Sequence, residues 1–154
     1  MKKPKFSITH KDAELLDKVN TTDQKTLAIW AIDCAERVLP FFEKKYPKDK
    51  RPRQAIKTLQ EWLKTGVFKM AVIRKASLDS HSAAREVGED DPARSAARAA
   101  GQTVATAHVP RHAYGSAIYA QQAIFRNTDS SIAEVTAKKE RDWQYQHLLD
   151  LTKI

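Results

Sequence analysis

The sequence predicts an all-α fold: a single compact bundle of about six helices joined by short turns. Three observations point there. Residues 76–120 are crowded with alanine and other small side chains, which let helix backbones approach closely. Only 4 glycines and 6 prolines interrupt 154 residues, while alanine, the strongest helix former, is abundant. Apolar residues also recur at intervals of three and four, the helical period, in one segment after another. At this length, with 42% hydrophobic residues, the chain suits one domain with a sizeable core better than two.

The elements follow in order. Residues 1–20 read as a lead-in to a main bundle over 21–154. Thr9 is placed to cap a brief helix over 10–19, whose Leu15, Leu16 and Val19 would dock on the bundle. Thr21 or Thr22 offers the next cap. Behind it, Leu27, Trp30, Ala31, Cys34, Val38 and Phe41 form a buried stripe. Pro40 lacks an amide hydrogen and should kink or break that helix near Leu39; Pro47 ends it. Pro52 suits the first turn of a second helix carrying Ala55, Ile56, Leu59, Trp62 and Leu63, and Gly66 would close it.

A third helix is expected from about Phe68 to Val87. After the loop Gly88 to Pro92, Asp91 is a carboxylate cap with proline behind it, opening an alanine-rich helix to about His108. Pro110 ends that helix and opens another to about Phe125. Ser131 and Glu134 have capping-box spacing before a last helix bearing Ile132, Val135, Trp143, Leu148 and Leu149.

Composition narrows the setting. Cys34 is the only cysteine, so no internal disulfide forms, which fits a reducing cytoplasm. The basic N-terminus has no apolar run behind it, so no signal peptide is expected. No stretch approaches the ~18 apolar residues of a membrane span. The net charge is +8. From Glu36 to Lys75 there are 12 Lys and Arg against 4 Asp and Glu, and elsewhere 15 of each sign, so the whole excess sits in one quarter of the chain. Its densest part, Lys44 to Lys57, would attract nucleic acid, an acidic membrane surface or an acidic protein, or simply form a solvated turn.

Few constellations suggest chemistry. His108 and His112 have the spacing of two ligands on one helical face, and His81 could add a third with Asp79 or Glu86 nearby. Pro110 lies between the pair, however, and no His-Glu-x-x-His pattern exists. Imidazoles bonding between closely packed helices, or to carbonyls freed at Pro110, are the expected alternative. Asp33 and Arg37 stand four apart as a surface ion pair, beside Glu36. Cys34 lies within the apolar stripe, and Ser77, Ser80, Ser82 and Ser95 have no paired base in view. Gly66 and Gly101 are isolated, so there is no phosphate-cradling loop. Trp30, Trp62 and Trp143 read as core. No metal, cofactor or catalytic residue is expected. Nucleic-acid binding would rest only on the Lys44–Lys57 patch and Tyr46.

Three segments together resemble a bacterial family, the Imm5-like immunity proteins of polymorphic toxin systems. They are WAIDCAERVLPFFEKKYPKDKRPRQAI (Trp30–Ile56), VIRKASLDSHSAAREV (Val72–Val87) and DPARSAARAAGQTVATAHVPRHAYGSAIYA (Asp91–Ala120). The resemblance implies a small cytoplasmic antidote that binds a cognate toxin domain and occludes its active site without catalysis. Antidotes to nucleases are often acidic, so this basic chain would face an acidic or neutral target surface. The candidate contacts are Lys48, Lys50, Arg51 and Arg53 in the basic turn, with His108, Arg111 and His112 as a second corner. Charge reversal at Arg51 and Arg53 should then weaken binding and leave stability nearly unchanged. The rival readings are a basic helical protein associated with nucleic acid, and a metal-dependent enzyme using His81, His108 and His112. Alanine-rich faces also allow a homo-oligomer. No membrane partner is expected.

Overall fold

The computed structural model describes Phe6 and residues 12–153, and among them there are eight helices and no strand. None of these helices is long and apolar enough to cross a membrane. α1 (Ala13–Asn20) starts at Asp12, whose carboxylate accepts the Leu15 amide at 3.2 Å. Thr9, the expected cap, lies outside the described residues. α2 (Gln24–Glu36) is capped by Asp23, which accepts the Thr26 amide at 3.1 Å. The expected caps, Thr21 and Thr22, instead turn their hydroxyls back to the Lys18 carbonyl and close α1. A carboxylate gains more than a hydroxyl from the positive end of a helix, so Asp23 prevails.

α2 stops at Glu36, slightly before the expected Leu39. The Val38 amide reaches back to Ala35 at 3.1 Å, and a separate short helix, α3 (Leu39–Glu43), carries Pro40 in its first turn. One expected helix is therefore two, which with α1 raises the number from about six to eight. The break also rotates the stripe: Phe42 is buried, whereas Phe41, expected there, is only half-buried.

α4 (Arg51–Thr65) has Pro52 in its first turn and ends at Gly66, whose φ of +70° is the left-handed conformation that glycine adopts without a Cβ clash. α5 spans Met70–Arg85. α6 (Pro92–Ala105) is capped by Asp91, which accepts the Ala93 amide at 2.8 Å. α7 (His112–Arg126) and α8 (Ala133–Thr152) complete the chain. The expected capping box before α8 does not form. Ser131 bonds Asp129 through its amide (3.1 Å) and hydroxyl (3.2 Å), and Ile132 starts the helix with no side-chain cap. Of the apolar residues expected on this last helix, Ile132 and Val135 are exposed, Leu148 is buried, and Trp143, which reads as core, and Leu149 are half-buried.

α6 is the central rod. It packs against α7, α5, α4, α3 and α2, with its longest contacts to α7 and α5. Ala93, Ala96, Ala97, Ala99, Ala100, Gly101 and Val104 are buried on more than one face, as befits a helix enclosed on several sides. Its neighbours' hydroxyls bond to its carbonyls: Ser80 Oγ to Ala97 at 2.7 Å and Ser77 Oγ to Gly101 at 2.9 Å. Thr103 Oγ1 and Ser116 Oγ share a bond of 2.7 Å, linking α6 to α7, and both also reach the Ala31 carbonyl of α2 at 3.3 Å. A second core joins Leu15, Val19, Leu27, Trp30, Cys34, Ala113, Ala117 and Leu148 from α1, α2, α7 and α8. Gln144 ties it together. Its amide nitrogen donates to Ala117 O (2.9 Å), its side-chain oxygen accepts from Gln121 (2.8 Å), and its carbonyl accepts the Trp30 indole (2.8 Å). Among the described residues no buried side-chain nitrogen or oxygen lacks a partner, which is what such polar contacts require.

Two glycines receive large polar side chains. A Cβ at Gly101 would stand 2.7 Å from His81 Nε2, and one at Gly115 would stand 2.8 Å from Gln102 Oε1. His81 from α5 thus lies over α6, and Gln102 from α6 lies over α7. Gly101→Ala is expected to lower unfolding stability by roughly 1–3 kcal/mol through overpacking. In a His81→Ala background the same change should become neutral or stabilise by up to about 1 kcal/mol, because only helix propensity remains. Urea denaturation of the four proteins measures both; an unchanged penalty in the double variant would show that the clash is not with His81.

Candidate partner-binding surface

The basic turn between α3 and α4 is less bare than its composition suggests. Arg51 grips Asp49 with two bonds, Nε to Oδ1 at 3.0 Å and Nη2 to Oδ2 at 2.7 Å, and also pairs with Glu86. Arg53 grips Glu43 in the same forked way, at 3.1 and 2.7 Å, and pairs with Glu36. Lys45 pairs with Asp91, the cap of α6. The hydrogen bonds from Arg53 hold the Glu43 carboxyl below its ordinary range, and those from Arg51 do the same to Asp49. These arginines fasten the turn to α2, α3 and the end of α5. The side chains of Lys48 and Lys50, by contrast, are exposed and make no hydrogen bond or ion pair among the described residues.

The same division runs through the whole basic quarter. Among the described residues, Lys44, Lys48, Lys50, Lys57, Lys64, Lys69 and Arg74 are exposed and make no ion pair within contact distance, though the charges of Lys50 and Lys57 reach Glu43, and Glu61 is this quarter's only carboxylate without one. The expected Asp33–Arg37 surface pair gives way to ties between helices. Arg37 forks onto buried Glu140 of α8 at 2.7 and 2.9 Å, and its guanidinium lies 3.7 Å from the centre of the Trp143 ring. Asp33 bonds His147 Nε2 at 2.7 Å, and Glu36 takes Arg53.

The three histidines have separate duties. His81 Nδ1 lies 2.9 Å from Arg98 Nη1, and since arginine only donates, this nitrogen accepts. His112 Nδ1 donates to Gln102 Oε1 at 2.7 Å, and His108 is exposed, stacked on Phe68 with centroids 6.2 Å apart. Among the described residues no three His, Cys, Asp or Glu side chains are grouped to hold a metal. Burial, then the nearby Arg98 charge, depresses His81 to about 4, and burial lowers His112 as well. Cys34 is fully buried, and desolvation pushes its thiol well up. Ser80 and Ser95 are spent on structural bonds, the latter accepting from Arg126 and donating to Gln122, each at 2.9 Å.

Composition did not single out the apolar side chains that stand exposed beside the lysines. Val67 (58% exposed), Phe68, Met70, Val72 (50%) and Leu78 follow the glycine that ends α4 and run along α5. Their signal in the sequence is the run Val67-Phe68-Lys69-Met70 directly after Gly66, an apolar stretch where a polar turn is normal. A groove of about 590 Å³ runs between α4 and α5, floored by Trp62, Val67, Val72 and Ile73 and edged by Lys57 and Lys69. Gln54 also lines a second hollow of about 410 Å³, with Lys48, Asp49, Lys50, Arg51 and Asp79. On the far side of α5, Met70, Leu78 and His108 line a pocket of about 210 Å³. The basic turn and the His108 corner therefore flank one α5-centred surface. Arg111 is exposed at the start of α7, whereas His112 is half-buried.

Two outcomes test this geometry. His81 and His112 have native values below those of the unfolded chain, so the unfolded state binds more protons as pH falls. Stability should be insensitive to these groups above about 6.5. It should drop as pH falls from there toward 4, less steeply in His81→Gln; equal slopes in urea-melt series would refute the assignment. Reversing Arg51 and Arg53 together should cost about 1–2 kcal/mol, given their partial exposure, whereas Lys48→Glu with Lys50→Glu should change stability by less than about 0.5 kcal/mol. The first result replaces the near-neutral reversal that composition suggested; matching thermal melts for the two double variants would show that the arginine forks carry no stability.

Residues 17–151 match the model of the family described as Imm-5 like putative immunity protein. No curated protein and no solved structure matches. The matched span holds α2 to α7 entire with most of α8 and the end of α1, so it includes the rod, the whole α4–α5 surface and all of the second core except Leu15. The chain belongs to the Imm-5 like family of putative immunity proteins.

Proposed function

We propose that this protein is a cytoplasmic antidote that acts as one folded unit, binding a cognate bacterial toxin domain and blocking it by occlusion without catalysis. The family match supports the immunity role. The observation that supports a binding mechanism is the surface around α5, where exposed Val67, Phe68, Met70, Val72 and Leu78 lie among unpaired lysines. An apolar centre with a polar rim is the anatomy of a protein–protein contact. Methionine adds a side chain that adapts to an irregular partner.

Within this reading Lys48 and Lys50 meet the partner directly. Arg51 and Arg53 contribute chiefly by holding the turn in place, since each already grips two carboxylates. His108 and Arg111 extend the contact on the other side of α5, with His112 fixed behind them by Gln102. Exposed apolar side chains disfavour nucleic acid as the main partner, because a phosphate backbone gains nothing from them.

The test is co-expression with the toxin domain encoded beside its gene. The wild type should restore growth and co-purify with that domain. Lys48→Glu with Lys50→Glu should weaken the complex about tenfold, or ~1.4 kcal/mol, with an unchanged thermal melt. A wild type that neither restores growth nor co-purifies would remove the antidote reading, and tight binding of duplex DNA at physiological salt would replace it with a nucleic-acid role.

A further inference from the structure

Resting on the antidote reading, we infer that the trough between α4 and α5 seats an acidic, amphipathic helical segment of the partner protein. The groove over Val67 and Val72 and the hollow at the basic turn share Gln54, so the two adjoin along α4. Fifteen residues of helix make α4 about 22 Å long, which accommodates a partner helix of roughly four turns. Its floor is apolar at the Gly66 end, where Trp62, Val72 and Ile73 converge. Its edges carry Lys57 and Lys69 beside Glu61 at one end, and Lys48, Lys50 and Arg51 beside Asp49 and Asp79 at the other. The two aspartates are held by Arg51 and Lys75, which leaves Lys48, Lys50, Lys57 and Lys69 to meet a partner's carboxylates.

Charge complementarity selects the occupant. An apolar stripe would lie on the floor while flanking carboxylates meet the lysines, the helix-in-groove mode. A nucleic acid would satisfy the cations and leave the floor unused. A second copy of this chain fits poorly. Its exposed acidic loop at Glu89 and Asp90 adjoins Val87, which is buried, and the exposed acids of α8 alternate with Lys138 and Lys139. Among the described residues no exposed helix face is both apolar and uniformly acidic.

The experiment titrates the full-length, nitrogen-15-labelled protein with a synthetic 15-residue peptide. That peptide carries leucines at positions i, i+3, i+4 and i+7 and glutamates on its flanks. The controls are a scrambled peptide of equal composition, a lysine-for-glutamate version and a 15-base-pair duplex. Saturable shifts at the Val67 and Val72 amides and the Trp62 indole are expected for the acidic amphipathic peptide, with affinity falling as salt rises. Val72→Asp, at an exposed position, should reduce that affinity at least tenfold and leave the thermal melt unchanged. No shift, equal shifts with the scrambled peptide or the duplex, or shifts that appear on concentration alone would each overturn the proposal, the last in favour of a second copy. The two readings separate cleanly. A Val72→Asp protein that still protects fully against the toxin domain removes the trough and keeps the antidote. A wild type that gives no protection yet binds the peptide removes the antidote and keeps the trough.

Discussion

The molecule depends on how little side chain α6 carries where its neighbours cross it. Alanine and glycine bring α5 and α7 close to α6, and on the α5 side the hydroxyls of Ser77 and Ser80 reach α6 main-chain carbonyls. Each such carbonyl already accepts within its own helix and uses a second lone pair for the neighbour. Thr103 and Ser116 make a different tie where three helices meet, bonding each other and reaching the Ala31 carbonyl of α2. Polar bonds of this kind have one satisfactory register, and a sliding helix would strand them in a dry interior. His81 over Gly101 and Gln102 over Gly115 add shape to that register, since each large side chain has one glycine to cover. The position of α5, and with it the exposed face it presents, follows from these contacts.

Much of this was legible in the sequence, and the failures have physical causes. Proline at the first turn of α4, glycine at its end and the Asp91–Pro92 start of α6 are local signals that tertiary contacts reinforce. The caps of α2 and α8 were misread because hydroxyls compete with carboxylates: Asp23 outbids Thr22, and Asp129 takes both bonding groups of Ser131. The phase of the stripe slipped at Phe41 and Phe42 because the Pro40 break turns the chain between α2 and α3. Asp33 and Arg37 illustrate a different limit. Spacing of four permits a pair, but each found a partner on α8, and such distant competition is invisible along one helix.

The candidate surface shows the same limit in electrostatic form. A run of charge in a sequence says how many cations exist, not how many meet solvent unpaired. The arginines of the basic turn sit in forked bonds with carboxylates that come from as far away as Glu36 and Glu86. Planar guanidinium suits that fastening role, while Lys48 and Lys50, point charges on flexible stems, are left facing water. The apolar side chains after Gly66 were overlooked for a related reason. In isolation such a run reads as core, and only the path of α5 across the rod shows that Val67 and Val72 stand half or more exposed.

The crowding of α6 also divides the chain into parts that can and cannot drift. A single added methyl at Gly101 meets an imidazole, so the rod tolerates almost no gain in volume. Val67, Val72, Lys48 and Lys57 touch little, and exchanging them alters the outer face while the scaffold stays intact. A lineage built on this plan can follow a changing adversary by substituting a handful of outward residues, keeping its inner architecture fixed.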